Sequence, residues 1–229
     1  MENIVYVILL IITIILFKII FKISIKKAKS LKENKEAEKI TNKFPGNVEI
    51  AKEMLSLLGN ESVKIEEAKD TETSLYIAIT NKISIADMKN NYARIQTIAH
   101  ECLHSCQDRT LLLFNFIFSN LNIIYFLAIT ILTIFKVINS QMLQMAILML
   151  FTLIQFAVRS FLEIDAMTRA KYLAKEYIER KKLCTDEEKE TLLKEYDKIN
   201  KVGIPFVVDN LLTSGLIRVL IYAIISLVV

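Results

Sequence analysis

Thr97-Ile-Ala-His-Glu-Cys-Leu-His104 contains an HExxH motif, and it includes both histidines of the 229-residue chain. Residues four apart on a helix lie above one another on one face. Two imidazoles in that arrangement can bind one zinc ion, and Glu101 can reach the water on that ion as a general base. We therefore predict a Zn2+ site with His100 and His104 as ligands and Glu101 as the catalytic residue.

The composition around this motif is that of a mainly α integral membrane protein. Hydrophobic residues make up 53% of the chain, mean hydropathy is +0.40, and there are only four glycines and two prolines, which favours long helices. The formal net charge is +4, and the lysines cluster beside apolar stretches. This pattern indicates contact with a lipid bilayer and no nucleic-acid partner. The three cysteines (Cys102, Cys106 and Cys184) indicate a reducing compartment, and we interpret the first two as packing residues.

Four apolar runs predict about four transmembrane helices across a core of about 30 Å: 3–23, 111–138, 142–162 and 206–229. Lysines follow the first run at Lys26, Lys27, Lys29, Lys32, Lys35 and Lys39. The positive-inside rule places this side in the cytoplasm and the N-terminus outside. The predicted organisation is an N-terminal anchor (1–24), a cytoplasmic zincin-like part with the motif (25–110), a transmembrane hairpin (111–162), cytoplasmic helices (163–203) and a C-terminal transmembrane segment (204–229). The last run contains Asp209 and Arg218, and Arg218 has two open interpretations: snorkelling, or pairing with an acid inside the bundle.

The cytoplasmic parts predict short elements. We expect a helix over 48–58 capped by Gly59, strands at 63–65 and 75–79 joined by the polar stretch 69–73, and the motif helix over 89–109. An exposed edge of the small sheet could bind substrate peptide as an added strand. Thr185 and Glu188 form a capping-box signature for a helix over 186–200, which we expect to end near Gly203 and Pro205.

The order of the spans predicts a third zinc ligand. A catalytic zinc commonly has three protein ligands, and the chain has no third histidine. The hairpin that follows His104 returns the chain to the same side at Glu163, and Glu163 and Asp165 are the acids at that point. We expect Glu163 to bind the zinc and Asp165 to orient a histidine N–H, with the reverse assignment also open.

Two segments, IAHECLHSCQ (98–107) and LEIDAMTRA (162–170), resemble the paired motifs of membrane-anchored neutral zinc metallopeptidases, the YugP-like family. Gly46-Asn-Val-Glu-Ile-Ala51 resembles the region upstream of the first motif. The resemblance implies His100, His104 and Glu163 as ligands and Glu101 as the base. The chain departs from the family pattern at Leu103, where the family has glycine, at Met167, where it has serine, and in DTETSLY (70–76), which lacks a family histidine.

Together these features predict a multi-pass plasma-membrane zinc endopeptidase that hydrolyses protein or peptide substrates at the cytoplasmic face. A prenyl-protein or quality-control HExxH peptidase is the nearest alternative, but its later acid falls four residues after the ligand glutamate, where this chain has Met167. A site-2-like intramembrane protease has its motif inside an apolar span, whereas polar residues flank this one. A non-catalytic zinc-stabilised membrane scaffold would not need Glu101. Tyr76, Tyr92, Tyr172 and Arg169 are candidates for stabilising the oxyanion.

Overall fold

The computed structural model describes residues 2–31, 34–68, 71, 73–88 and 91–229. In these ranges the protein is mainly helical with one small sheet, as predicted. The elements are α1 (Glu2–Ile20), α2 (Ile25–Ser30), α3 (Lys35–Thr41), α4 (Asn47–Leu57), β1 (Lys64–Ala68), β2 (Leu75–Ile77), β3 (Lys82–Ala86), α5 (Arg94–His104), α6 (Arg109–Ile134), α7 (Gln141–Lys181) and α8 (Asp186–Val228). Three predictions reach beyond the described residues: Lys32 of the lysine run, part of the 69–73 connection, and the start of the motif helix at Lys89.

Two compact units share the chain. The apolar unit contains Met1–Ile23, Phe114–Phe161 and Pro205–Val229, and the motif unit contains Ser24–Leu113 and Leu162–Ile204. Among the described residues, α6, α7 and α8 are long and apolar enough to cross a membrane, while the apolar part of α1, Ile4–Ile20, is shorter. Inside the apolar unit, Lys18 Nζ contacts Asp209 Oδ2 at 3.0 Å, so the acid of the last apolar run pairs with α1 and not with Arg218.

The sheet of the motif unit has the order β1-β3-β2, with β3 parallel to β1 and antiparallel to β2. The sequence prediction included the first two strands and missed β3. Its signal was the alternation in Lys82-Ile-Ser-Ile-Ala86, which buries Ile83 and Ile85. Asn81 adopts a left-handed φ of 48° in the turn before β3, a conformation that asparagine tolerates better than most residues. The central strand thus gives the sheet its apolar face, and β2 lies at one edge.

Helix α4 matches its prediction closely. Gly59 has φ 66°, and Asn60 N–H donates to the Leu55 carbonyl oxygen at 2.9 Å, which is the hydrogen bond of a Schellman cap. Ile50, Ala51, Met54 and Leu55 are buried in one core with β3 and α5. This core fixes the helix that carries the motif.

A buried arginine fixes the start of α5. Arg94 is 3% exposed, and its guanidinium donates to the carbonyl oxygens of Thr41, Phe44 and Pro45 and to Asn47 Oδ1, at 2.7, 2.9, 2.7 and 3.0 Å. Burial lowers the pKa of this guanidinium, but these acceptors bind the N–H groups of Nη1 and Nη2, while Nε has no partner in the described part of the chain. The motif helix is thereby attached to the turn between α3 and α4.

The motif helix is shorter than predicted. It extends over Arg94–His104, residues 91–93 form a turn before it, and α6 begins at Arg109. The predicted end at 109 was wrong because Asp108 caps the next helix, accepting a hydrogen bond from Leu111 N–H at 2.8 Å. Aspartate competes for backbone N–H groups and so favours a new helix start.

The predicted end of a helix near Gly203 and Pro205 was also wrong, because α8 continues through both residues to Val228. Proline removes one backbone donor, and the apolar residues that follow still favour a helix. The predicted start is confirmed: Thr185 N–H donates to Glu188 Oε2 at 3.0 Å, and Glu188 N–H donates to Thr185 Oγ1 at 3.2 Å.

Candidate metal centre

Helix α5 presents the two histidines side by side. Buried Ile95, Ile98 and Cys102 fix its inner face, and the four-residue spacing places both imidazoles on the same side of the helix. The Nε2 atoms of His100 and His104 lie 3.0 Å apart. Both nitrogens therefore point to one place.

Glu163 on α7 reaches the same place. Its Oε2 lies 3.5 Å from His100 Nε2 and 3.6 Å from His104 Nε2. Tetrahedral zinc with bonds of about 2.0–2.2 Å separates its ligand atoms by about 3.4 Å. The two separations to Glu163 match this value closely, the separation of 3.0 Å between the imidazole nitrogens is shorter, and two imidazole nitrogens with one carboxylate oxygen are a typical zinc donor set. Among the described residues, these three form the one cluster with metal-ligand spacing.

Gln107 connects this cluster to Asp165. Its Oε1 lies 2.8 Å from His104 Nδ1, and its Nε2 donates to Asp165 Oδ2 at 3.0 Å and to the Leu162 carbonyl oxygen at 2.8 Å. An amide oxygen can only accept, so this contact assigns the proton of His104 to Nδ1 and leaves the lone pair on Nε2. Asp165 thus acts on His104 through Gln107, and lies outside the three-residue cluster.

The charges of the cluster favour a bound cation. Burial alone would raise the pKa of Glu163, but hydrogen bonds and charge interactions with His100 and His104 outweigh it and hold the pKa well below the usual range. Burial alone would lower the pKa of His104, but Glu163, Glu101 and Gln107 outweigh it and raise the pKa. The carboxylates therefore stabilise positive charge at the histidine nitrogens, whether a proton or a metal ion supplies it.

Glu101 lies on the same helix, and its carboxylate is attached to the sheet. It is 6% exposed, and its Oε2 accepts a hydrogen bond of 2.7 Å from the backbone N–H of Tyr76 in β2. Burial raises the pKa of Glu101, although both histidines and the Tyr76 N–H oppose that shift. A carboxylate with a raised pKa, next to the cluster, has the affinity for protons that a general base needs.

The four candidates for the oxyanion contact are differently placed. Tyr76 donates its hydroxyl to Asn81 Oδ1 at 2.9 Å, and Tyr92 donates to the Leu31 carbonyl oxygen at 2.6 Å. Tyr172 is exposed, and Arg169 Nη1 lies 3.5 Å from Asp165 Oδ2. Arg169 is therefore the candidate connected to the cluster, through Asp165 and Gln107.

A model of the family described as putative neutral zinc metallopeptidase matches residues 6–196. The chain belongs to this family. The match includes α5, β2 and Glu163, so the whole cluster lies inside it. Membership supports zinc as the metal and peptide hydrolysis as the class of reaction. No curated protein and no solved structure matches the chain.

Two contacts of this metallopeptidase site were missed from sequence. Gln107 had no role in the sequence prediction, although its position three residues after His104 places it within reach of the imidazole. The Tyr76 N–H could not be found because it depends on the position of β2 beside α5. Backbone donors carry no signal in the residue type.

Proposed function

We propose that this chain is a multi-pass membrane zinc endopeptidase that cleaves protein substrates at the cytoplasmic face. The observation that carries the proposal is the convergence of His100, His104 and Glu163 with a fixed glutamate, Glu101, beside them. The side chains of the three ligands are 19%, 12% and 23% exposed, so a substrate carbonyl can approach. Family membership supports the reaction class.

His100, His104 and Glu163 would hold the zinc ion, which would supply Lewis-acid chemistry by lowering the pKa of water toward about 7 and polarising the scissile carbonyl. Glu101 accepts the proton of the attacking water and donates it to the leaving amine. The Tyr76 N–H orients the Glu101 carboxylate for both transfers. Gln107 keeps His104 in the tautomer that presents Nε2.

The edge of the sheet supports the choice of an extended peptide as substrate. In the order β1-β3-β2, strand β2 pairs with β3 on one side, and its Tyr76 N–H faces Glu101. A peptide that adds to this edge would run beside the catalytic carboxylate. We therefore propose that unfolded segments are cleaved in preference to folded domains.

The membrane part of the proposal rests on charge and length. Three helices have the length and hydropathy for a crossing, and the described lysines of the run after α1 contrast with the single Lys136 between α6 and α7. We propose that α1 crosses as well, so that by the positive-inside rule the motif unit faces the cytoplasm and the N-terminus lies outside. Cysteine accessibility in intact cells tests this orientation.

The test of the chemistry is Glu101→Gln in the purified full-length protein. We expect bound zinc to stay stoichiometric and cleavage of an unfolded casein to fall by about 10²–10⁴. Glu195→Gln is the matched control, because Glu195 is a largely buried acid of the same unit (its side chain is 12% exposed) that pairs with Lys198. Wild-type rates in Glu101→Gln would refute the mechanism, and stoichiometric zinc without any cleavage by the wild type would favour a scaffold.

A further inference from the structure

A cavity of about 320 Å3 lies within the apolar unit, between α6, α7 and α8. Such a volume is within the range of ligand sites in proteins. Six of its ten lining residues are polar, which is unusual for an apolar helical unit: Ser119, Thr152, Gln155, Arg159, Ser214 and Arg218. Polar side chains among apolar helices commonly mark a functional site.

The charge of the lining is positive. It includes two arginines and, among the described residues, no carboxylate. The one acid that the sequence has in 4–23, 114–161 and 205–229 is Asp209, and it pairs with Lys18 and not with Arg218. Arg218 donates to Gln155 Oε1 at 3.4 Å, a neutral acceptor, so most of its N–H donors stay available for a ligand.

A buried hydroxyl adds a second donor to the cavity. Thr152 is 2% exposed, and in the described part of the chain its Oγ1 has no hydrogen-bond partner. Thr13 and Thr130 instead donate to the carbonyl four residues before them, as helical threonines usually do. A buried hydroxyl without a partner is costly, and a ligand in the cavity would satisfy it.

The chemistry of these donors selects the ligand. Guanidinium groups and hydroxyls are the groups that bind phosphate oxygens, and arginine does so with two parallel hydrogen bonds. Apolar Ile123, Phe156 and Leu211 complete the lining, which suits a phosphate attached to a hydrocarbon chain. We infer that this cavity binds the phosphate group of an anionic phospholipid.

The position of the cavity along the helices agrees with this ligand. Arg159 precedes the predicted end of its span by three residues, about 5 Å, and Ser119 follows the predicted start of its span by eight, about 12 Å. Both lie toward the ends proposed to be cytoplasmic, where anionic headgroups bind basic pockets between helices. Arg218 follows the predicted start of its span by twelve residues, about 18 Å, so the cavity extends from that level toward the middle of the bilayer. The inference rests on the proposed membrane crossing and is independent of the zinc chemistry.

The experiment uses the full-length protein in neutral detergent, with phosphatidylglycerol and phosphatidylcholine of identical acyl chains as probes. Native mass spectrometry and titration of thermal stability measure the binding of each lipid. We expect phosphatidylglycerol to bind about tenfold more tightly than phosphatidylcholine, and Arg218→Gln to remove that difference. Lys136→Gln, which removes the same charge from the same unit outside the cavity lining, should bind like the wild type.

Thr152→Val keeps the shape of its side chain and removes the hydroxyl. It tests the cavity even if Arg218→Gln does not fold, and we expect a severalfold weaker affinity for phosphatidylglycerol. Equal binding of the two lipids by the wild type, or wild-type affinity in Thr152→Val, overturns the inference. If inorganic phosphate alone stabilises the protein to the same extent as phosphatidylglycerol, the cavity binds free phosphate and the inference of a phospholipid ligand is overturned. Glu101→Gln should bind lipid with the affinity of the wild type. The lipid measurement therefore tests this inference even if the proposed peptidase activity is absent.

Discussion

Replacing Gln107 by leucine should weaken zinc binding without removing any ligand. The amide makes three hydrogen bonds, to His104 Nδ1, Asp165 Oδ2 and the Leu162 carbonyl oxygen, at 2.8, 3.0 and 2.8 Å. Leucine has a similar volume but cannot accept the Nδ1 proton. His104 can then adopt the other tautomer, in which Nε2 carries the proton and cannot bind zinc.

The size of the effect follows from these contacts. Loss of a group that orients a metal-binding histidine typically lowers metal affinity about 10–100-fold, or about 1.4–2.7 kcal/mol. The two donated hydrogen bonds connect the turn after α5 to α7, which carries Glu163, so their loss should also lower folding stability by about 1–3 kcal/mol. Asp165 keeps its contact with Arg169 at 3.5 Å, which limits that cost.

The assay is competition for zinc between the purified protein and a chelator of known affinity. Gln96→Leu is the matched control, because Gln96 lies on the motif helix α5, is buried, and donates to Asn200 Oδ1 at 2.8 Å, away from the cluster. We expect both variants to lose stability and only Gln107→Leu to lose zinc affinity. Equal zinc affinity in the two variants would show that the Gln107 contact does not orient His104.

Three further outcomes can be measured on the same preparation. In chemical denaturation, Arg94→Leu should lower the free energy of unfolding by about 3–5 kcal/mol, because four acceptors lose their donor. The same change at exposed Arg180 should lower it by about 0.5 kcal/mol or less. Tyr196→Phe should raise stability by about 1 kcal/mol, since in the described part of the chain the buried hydroxyl has no partner. Burial raises the pKa of Tyr196, so ionisation of the unfolded chain lowers the folding stability of the wild type as pH rises above the unfolded value of 10.0. The variant has no hydroxyl to ionise at this position and should lose less stability in alkaline melting curves. Chelation should lower the melting temperature, since zinc at about 100 times its dissociation constant stabilises by about 2.7 kcal/mol, and His104→Ala should show no such shift.

Most of the helices could be predicted from the sequence, because the patterns that indicate them involve residues close together in the chain. Apolar length predicted the long helices, and the capping box at Thr185 and the Gly59 cap were readable from neighbouring residues. The motif helix was predicted too long because its end depends on Asp108 capping α6. Pro205 was read as a helix end because its effect on the backbone is local, whereas the helix through it depends on the apolar residues beyond.

The candidate site divides in the same way. His100, Glu101 and His104 were visible because they share one helix, and Glu163 followed from the order of the spans. The Arg94 contacts could not be predicted, because their acceptors are carbonyl oxygens about fifty residues earlier in the chain. From sequence alone, a charged residue such as Arg94 is expected to be exposed to solvent, and only the fold shows that it is buried.

Three of the four acceptors of Arg94 are main-chain oxygens, which every residue type carries. Substitutions at 41, 44 and 45 therefore leave the anchor of the motif helix chemically intact as long as the backbone keeps its path. An insertion or deletion between α3 and α4 would displace several acceptors at once. Lysine at position 94 could not replace the planar fork, since its point charge cannot reach four acceptors spread around it. The position of the two histidines should therefore tolerate changes of side chain in the turn between α3 and α4, but not changes in the length of that turn.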